Sequence, residues 1–204
     1  MANNTSNIDT LRAEIAAAAA RMIAEDGADY ATAKRKAARL ILGNTKVRGE
    51  VMPDNAQVEE EVRQYNDLFF ADTQPIRLLH LRKLALHMMD ELAQFSPYLT
   101  GAVLNGTAGE HSDIHLQLFS ESPKDVEIFL LNRNVAFEVS ESTHSRSGEP
   151  VETLSFMWQN EGIHLALYDT DDLRRIPKNS SEGKVLRADA AAVRALIEDK
   201  ETNE

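Results

Sequence analysis

The 204-residue chain contains no cysteine. Disulfides, zinc fingers, iron–sulfur clusters and cysteine nucleophiles are therefore excluded. Long apolar runs are missing too. Leu11 to Met22 is alanine-rich, but Arg12, Glu14 and Arg21 interrupt it, whereas a membrane span needs about 20 apolar residues in succession. The first ten residues are polar and carry no basic segment, which predicts no secretory signal, no membrane partner and a cytoplasmic location. Positive charge is scarce: 22 Lys and Arg stand against 33 Asp and Glu, a formal net charge of −11. That excludes a globally basic nucleic-acid coat. What is present is ordinary globular material, 43% hydrophobic and 27% charged, enough for one domain with an extension or two small ones. Six histidines are a noticeable supply in a chain without cysteine.

The pattern divides the chain. Residues 8–95 read as helices. Asp9 or Thr10 caps an alanine-rich helix that runs to about Asp26, and Gly27 punctuates it. Thr32 to Leu42 reads as a second helix ending at Gly43-Asn44, with Tyr30, Ala33, Ala37, Leu40 and Ile41 toward a core. Gln57 to Phe70 places Val58, Val62, Tyr65 and Phe69 on one face. Pro75 opens a fourth helix that Pro97 closes. Beyond residue 100 the runs shorten. Val103 to Asn105 reads as an apolar strand, Ile114 to Phe119 alternates with period two, and Pro123 to Leu131 reads as a helix. Val135 to Val139, Thr153 to Trp158 and Ile163 to Tyr168 read as strands, with a hairpin turn at Asn160-Glu161-Gly162. Residues 171–204 form an arm and a last helix from about Ala188. The expectation is an α+β protein: a helical bundle over 8–95, packed on a mixed or antiparallel sheet with flanking helices over 96–170, then 171–204.

One stretch carries a chemical pattern: Leu104-Asn-Gly-Thr-Ala-Gly-Glu-His-Ser-Asp-Ile-His-Leu116. It resembles the signature of the nucleotidyltransferase superfamily, the fold of polymerase-β-like enzymes and minimal nucleotidyltransferases. That signature has a Gly-Ser pair, a turn, and Ser-Asp-x-Asp on the next strand, with a third carboxylate from a later strand. Residues two apart on a strand share a face, so two such carboxylates can hold magnesium ions on a triphosphate. The resemblance covers roughly Pro97 to Asp169. It places Gly106 and Thr107 at the Gly-Ser pair, with Ser112 beside them, as nucleotide-binding residues. Asp113 takes the first carboxylate position.

The departures are specific. His115 stands at the second carboxylate position and His164 at the third. Imidazole is a poor magnesium ligand. Residues 101–170 also hold only Lys124, Arg133 and Arg146 against eleven acids, a field that repels a triphosphate. The leading expectation is a nucleotidyltransferase-like protein degenerate in its two-magnesium site, binding a nucleotide, another small ligand or a partner. Three readings compete with it. An active transferase would move a nucleoside monophosphate from a triphosphate with Mg2+, using Asp113 as catalytic ligand and Glu110 or Asp169 to complete the site. A transition-metal site on Asp113, His115 and His164, with His111 nearby, would take Zn2+, Ni2+, Fe2+ or Mn2+. A non-enzymatic interaction module would pair apolar helical faces in a homodimer. A triad of Ser112, His115 and Asp113 is disfavoured, because such members rarely occupy consecutive strand residues.

Arg35, Lys36 and Arg39, with Lys34, make the one basic cluster. On a helix they form an exposed stripe, either a phosphate anchor for nucleic acid or a solvated face. The overall acidity favours the solvated face. His80 and His87 lie seven apart among Leu79, Leu84, Met88 and Leu92, which predicts boundary packing. His144 lies in a polar loop.

Overall fold

The computed structural model describes residues 2–43, 49–143, 150–175, 177–178 and 185–202. His144 and Asn44 lie outside them. The described residues form eight α-helices and one five-stranded mixed sheet, an α+β protein. They divide into two compact units: Met1–Arg77 with Thr107–His111, and Leu78–Gly106 with Ser112–Glu204. No described helix is long and apolar enough to cross a membrane.

The first unit is helical. Helix α1 spans Ala2–Asp26, α2 Tyr30–Leu42 and α3 Asn55–Phe69. Asp9 and Thr10, expected as caps of α1, lie inside it, and side chains set the starts of α2 and α3. Asp29 accepts the Thr32 N–H at the start of α2, and Asp54 with Gln57 forms a reciprocal capping box at the start of α3. The core is unusually small in its side chains: Ile15, Ala16, Ala19, Ala20, Ala33, Ala37, Ala38, Val58 and Val62. Alanine lets helix backbones approach closely while costing no side-chain entropy. Leu40, expected toward this core, is 73% exposed, whereas Ile41 and Leu42 beside it pack against the core. The loop Thr107–His111 belongs to this unit. Asn66 Nδ2 donates to the Thr107 carbonyl, Gln74 Nε2 to that of Ala108 and Arg77 Nη2 to that of Glu110.

The second unit carries the sheet. Helix α4, Gln74–Glu91, contributes its turns from Leu78 onward. Strand β1 is Tyr98–Thr100, α5 Gly101–Asn105, β2 Ile114–Ser120, α6 Pro123–Asn132, β3 Glu138–Thr143, β4 Pro150–Trp158 and β5 Glu161–Asp169. Two short helices follow, α7 at Asp172–Arg175 and α8 at Ala190–Thr202. The sheet order is β1-β2-β5-β4-β3, with β2 and β5 parallel and every other pair antiparallel. Three expectations fail locally. Val103–Asn105 is a helix rather than a strand. Gly101 (φ 71°) and Gly106 (φ 89°) bracket it, and Arg82 holds it by donating to the Val103 and Leu104 carbonyls at 3.1 and 3.2 Å. These carbonyls would otherwise lack partners at the helix end. The β4–β5 turn is Gln159-Asn160, both with positive φ (50° and 67°), the backbone a two-residue hairpin requires. Glu161 and Gly162 are already in β5. The third strand also starts later than expected, at Glu138.

Alternation along the strands separates the two faces. One lateral row is Leu99, Leu116, Leu165 and Leu154, each at most 1% exposed. It is the centre of the core, with Ile114, Ile163 and Phe156 in the parallel row beside it. The other face is polar.

Candidate functional site

The polar face carries a row that crosses all five strands: Thr100, His115, His164, Ser155 and Glu138. The row follows from register. His115 and His164 are opposite each other because β2 and β5 run parallel from Ile114 and Ile163. Ser155 is opposite His164 because the Gln159-Asn160 turn pairs Trp158 with Glu161. The two imidazoles stack, ring centroids 4.6 Å apart and planes inclined by 14°.

His164 is held at both nitrogens. Its Nε2 lies 2.9 Å from Asp113 Oδ2 and its Nδ1 lies 2.9 Å from Ser155 Oγ. An ionised carboxylate only accepts, so Asp113 places the ring proton on Nε2. In the neutral ring, Nδ1 then accepts the Ser155 hydroxyl proton. Asp113 can reach because Gly162 makes room. A Cβ at Gly162 would stand 2.3 Å from Asp113 Oδ1 and 2.6 Å from its Cγ. His115 has a different environment. Its packed side is desolvated and faces the His164 imidazole, and both effects push its pKa below the usual 6.5, against a smaller upward pull from Asp113. The residue as a whole is solvent-exposed. His115 is thus neutral at pH 7, with a ring N–H to offer.

The far end of the same face is aromatic. Phe119 and Tyr168 stack at 5.5 Å and Tyr98 meets Phe119 edge-on at 5.7 Å. The Arg187 guanidinium lies 4.7 Å from the Tyr98 ring centroid and 5.2 Å from that of Phe119. Arg187 is 4% exposed. Its Nη2 donates to the Leu173 carbonyl at 2.7 Å, while Nε and Nη1 are buried without a hydrogen-bond partner among the described residues. Burial lowers its pKa from the ordinary arginine value, with Tyr98 acting the other way. Gln117, between the two ends in sequence along β2, hydrogen-bonds Tyr168, and its Oε1 is buried and unpartnered.

The residues singled out from the sequence therefore fall in several places. Asp113, His115 and His164 come together. Gly106 ends α5 in the left-handed conformation, and Ser112 leads into β2. Thr107 is buried in the helical unit, its carbonyl accepting from Asn66. Arg35 donates to the Ala31 carbonyl and to Thr32 Oγ1, and Lys34 to the Pro53 carbonyl and Asn55 Oδ1, whereas Lys36 and Arg39 are exposed on α2. His80 Nε2 lies 3.3 Å from Glu161 Oε1, and His87 is exposed. Sequence reasoning missed Ser155 and Arg187. A turn placed at Gln159-Asn160 would have found Ser155, since register then sets it opposite His164. Arg187 has no sequence signal of its own.

Metal coordination asks for donors that converge. Lone pairs of imidazole lie in the ring plane, so two stacked rings aim them nearly parallel, and His164 has both nitrogens engaged. Among the described residues no group of three or more His, Asp or Glu side chains is arranged to hold a metal ion.

No protein-family model and no curated protein matches the chain. A solved structure titled "structure of GLD-2/RNP-8 complex" is similar at 19% identity and a TM-score of 0.30, over 56% of this chain and 48% of that one. The chain thus spans about half the length of that match, and a likeness at this level assigns neither fold nor function.

Proposed function

We propose that the chain is a nucleotidyltransferase-like protein without two-magnesium chemistry, whose polar sheet face binds a nucleotide or another small ligand. Residues 96–170 form the ligand-binding domain, and 8–95 and 171–204 are its additions. The observation that carries the reading is the adjacency of Asp113, His115 and His164 on paired strands. Those are the positions at which the resembled signature keeps its three carboxylates. Two are imidazoles here, and the remaining carboxylate is engaged with His164. Magnesium takes octahedral oxygen ligands and binds imidazole weakly, so this donor set does not fit it. Binding capacity is supported at the aromatic end. The Arg187 donors and the Gln117 oxygen, buried without a partner among the described residues, are hydrogen-bonding groups that a ligand would satisfy. Gly106 and Ser112, in the same unit as the sheet, would line the same ligand site. A transition metal on Asp113, His115 and His164 is the rival reading. It requires His164 to release Asp113 or Ser155.

Isothermal titration calorimetry with ATP, with and without magnesium, separates these readings. The expected outcome is that magnesium leaves ATP affinity unchanged and that no nucleoside monophosphate is transferred. Magnesium-dependent ATP binding, lost in Asp113→Asn, would restore the active transferase. Stoichiometric zinc binding lost in His115→Ala would establish the metal site instead.

A further inference from the structure

The hydrogen-bonded order Asp113–His164–Ser155 is that of a carboxylate, an orienting and proton-accepting imidazole, and a hydroxyl. We infer that Ser155 is a base-activated nucleophile, and that this site hydrolyses small activated carboxylic esters. The inference uses only the geometry of these three residues and goes beyond the ligand-binding reading; it stands or falls separately from it.

A serine hydroxyl is a weak nucleophile until a base takes its proton. Two geometric conditions must hold. The base must lie within hydrogen-bond reach of the hydroxyl, and a second group must fix the base in the tautomer that presents a lone pair. Ser155 Oγ is 2.9 Å from His164 Nδ1, and His164 Nε2 is 2.9 Å from Asp113 Oδ2. The three come from β4, β5 and the residue preceding β2. Ser155 and His164 are ladder partners on β4 and β5, so the sheet holds their spacing, and Asp113 directly precedes β2. The ring nitrogens have exchanged partners relative to the usual serine-hydrolase arrangement, in which the carboxylate faces Nδ1. Proton transfer needs only that the two nitrogens be opposed across the ring. Ser155 and His164 are partly exposed, so both ester and water can approach.

Ser155 Oγ attacks the acyl carbon, forming the O–C bond, and its proton passes to His164 Nδ1. Asp113 retains the Nε2 proton in its hydrogen bond and stabilises the imidazolium. The tetrahedral adduct collapses, the ester C–O bond breaks, and the leaving alcohol takes the Nδ1 proton. Water then attacks the acyl-serine with its proton passing to Nδ1. The carboxylic acid leaves and Ser155 recovers its proton. The sum is ester plus water giving acid plus alcohol. Within a strand the backbone N–H groups are committed to the ladder, so they cannot form the usual oxyanion pair. His115 stacks on His164 but stands two strands away from Ser155, so it is not placed to stabilise the oxyanion, which restricts the site to esters with good leaving groups. Ser155 and His164 are the catalytic residues, and Asp113 is a positioning residue acting through His164.

The test is covalent labelling of the full chain with phenylmethanesulfonyl fluoride, read by intact and peptide mass spectrometry. Ser155 Oγ forms the O–S bond, fluoride leaves, and His164 takes the proton. The expected result is a single adduct on Ser155, absent in Ser155→Ala and formed about 10²-fold more slowly in Asp113→Asn, the lower end of the range for loss of acid–base support because Asp113 is partly solvated. Hydrolysis of p-nitrophenyl acetate falls in parallel. Thermal unfolding of both variants verifies that they are folded, and Asp113→Asn keeps the side-chain shape should Ser155→Ala unfold. No adduct, an adduct elsewhere, or an equal rate in folded Asp113→Asn would overturn the inference.

Discussion

Gly162→Ala separates Asp113 from His164 while leaving the chain folded. Asp113 lies just before β2 and Gly162 is the second residue of β5, adjacent because Ile114 pairs with Ile163. An added Cβ would meet both carboxylate oxygens of Asp113, at 2.3 and 3.0 Å. Something has to move, and the cheapest motion is rotation of the Asp113 side chain toward solvent, where its partly exposed position already leads. The Gly162 backbone does not have the positive φ that would strain alanine. Alanine also lowers the entropy of the unfolded chain by about 0.4–1 kcal/mol, which offsets much of the local crowding. The expected effect is a shift in the thermal midpoint of only a few degrees. Labelling of Ser155 falls by about 10²-fold, as for removal of the carboxylate itself. Labelling kinetics beside thermal unfolding make the check. An undiminished rate would mean that Asp113 does not govern the proton on His164.

Leu165→Ala acts on the opposite face of the same strand with the opposite signature. Leu165 is completely buried on the central strand and pairs laterally with Leu116 and Leu154. Ladders on both sides fix β5, so the backbone cannot collapse onto the void. The cost lies toward the upper part of the usual range for this truncation, about 3–5 kcal/mol. For a chain of this size that corresponds to about 10 °C in the unfolding midpoint. Differential scanning calorimetry or urea denaturation reads it directly. A loss below about 1 kcal/mol would show that the Leu99–Leu116–Leu165–Leu154 row is not the centre of the core. One strand thus carries stability on one face and chemistry on the other, and substitutions at neighbouring positions such as His164 and Leu165 should divide between them.

Period-two spacing in Ile114–Phe119 and Ile163–Tyr168 was legible because each strand has one buried and one polar face. The same spacing placed Asp113 and His115 together. Helices α1 to α4 were legible from alanine content, helical spacing and Pro75, but their starts were not: α1 begins ahead of Asp9, and Asp29 and Asp54 cap α2 and α3 ahead of Thr32 and Gln57. The failures have physical causes. Val103 and Leu104 are apolar residues in a stretch too short for a period to tell helix from strand, and what makes it a helix is distant in sequence: the buried Arg82 binding its last carbonyls. The hairpin turn was displaced because Gly162 looks like a turn glycine. Its true role is to admit the Asp113 side chain, while Gln159 and Asn160 take the positive φ. That displacement changes the register of β4 and hides the pairing of Ser155 with His164. Arg187 belongs to a segment with no periodicity, and only tertiary structure reveals its position between Tyr98 and Phe119.

The central claim is that Asp113 and Ser155 hold His164 as a hydrogen-bonded relay with neutral His115 stacked on it. Long-range 15N–1H NMR of the imidazole rings, followed through a pH titration, tests this most directly. The account requires neutral His164 to carry its proton on Nε2, with Nδ1 unprotonated and accepting, and requires His115 to titrate below 6.5. In Gly162→Ala the His164 preference for Nε2 should be lost. A His164 ring protonated on Nδ1 in the native chain, or a His115 that titrates like a free imidazole, would contradict it.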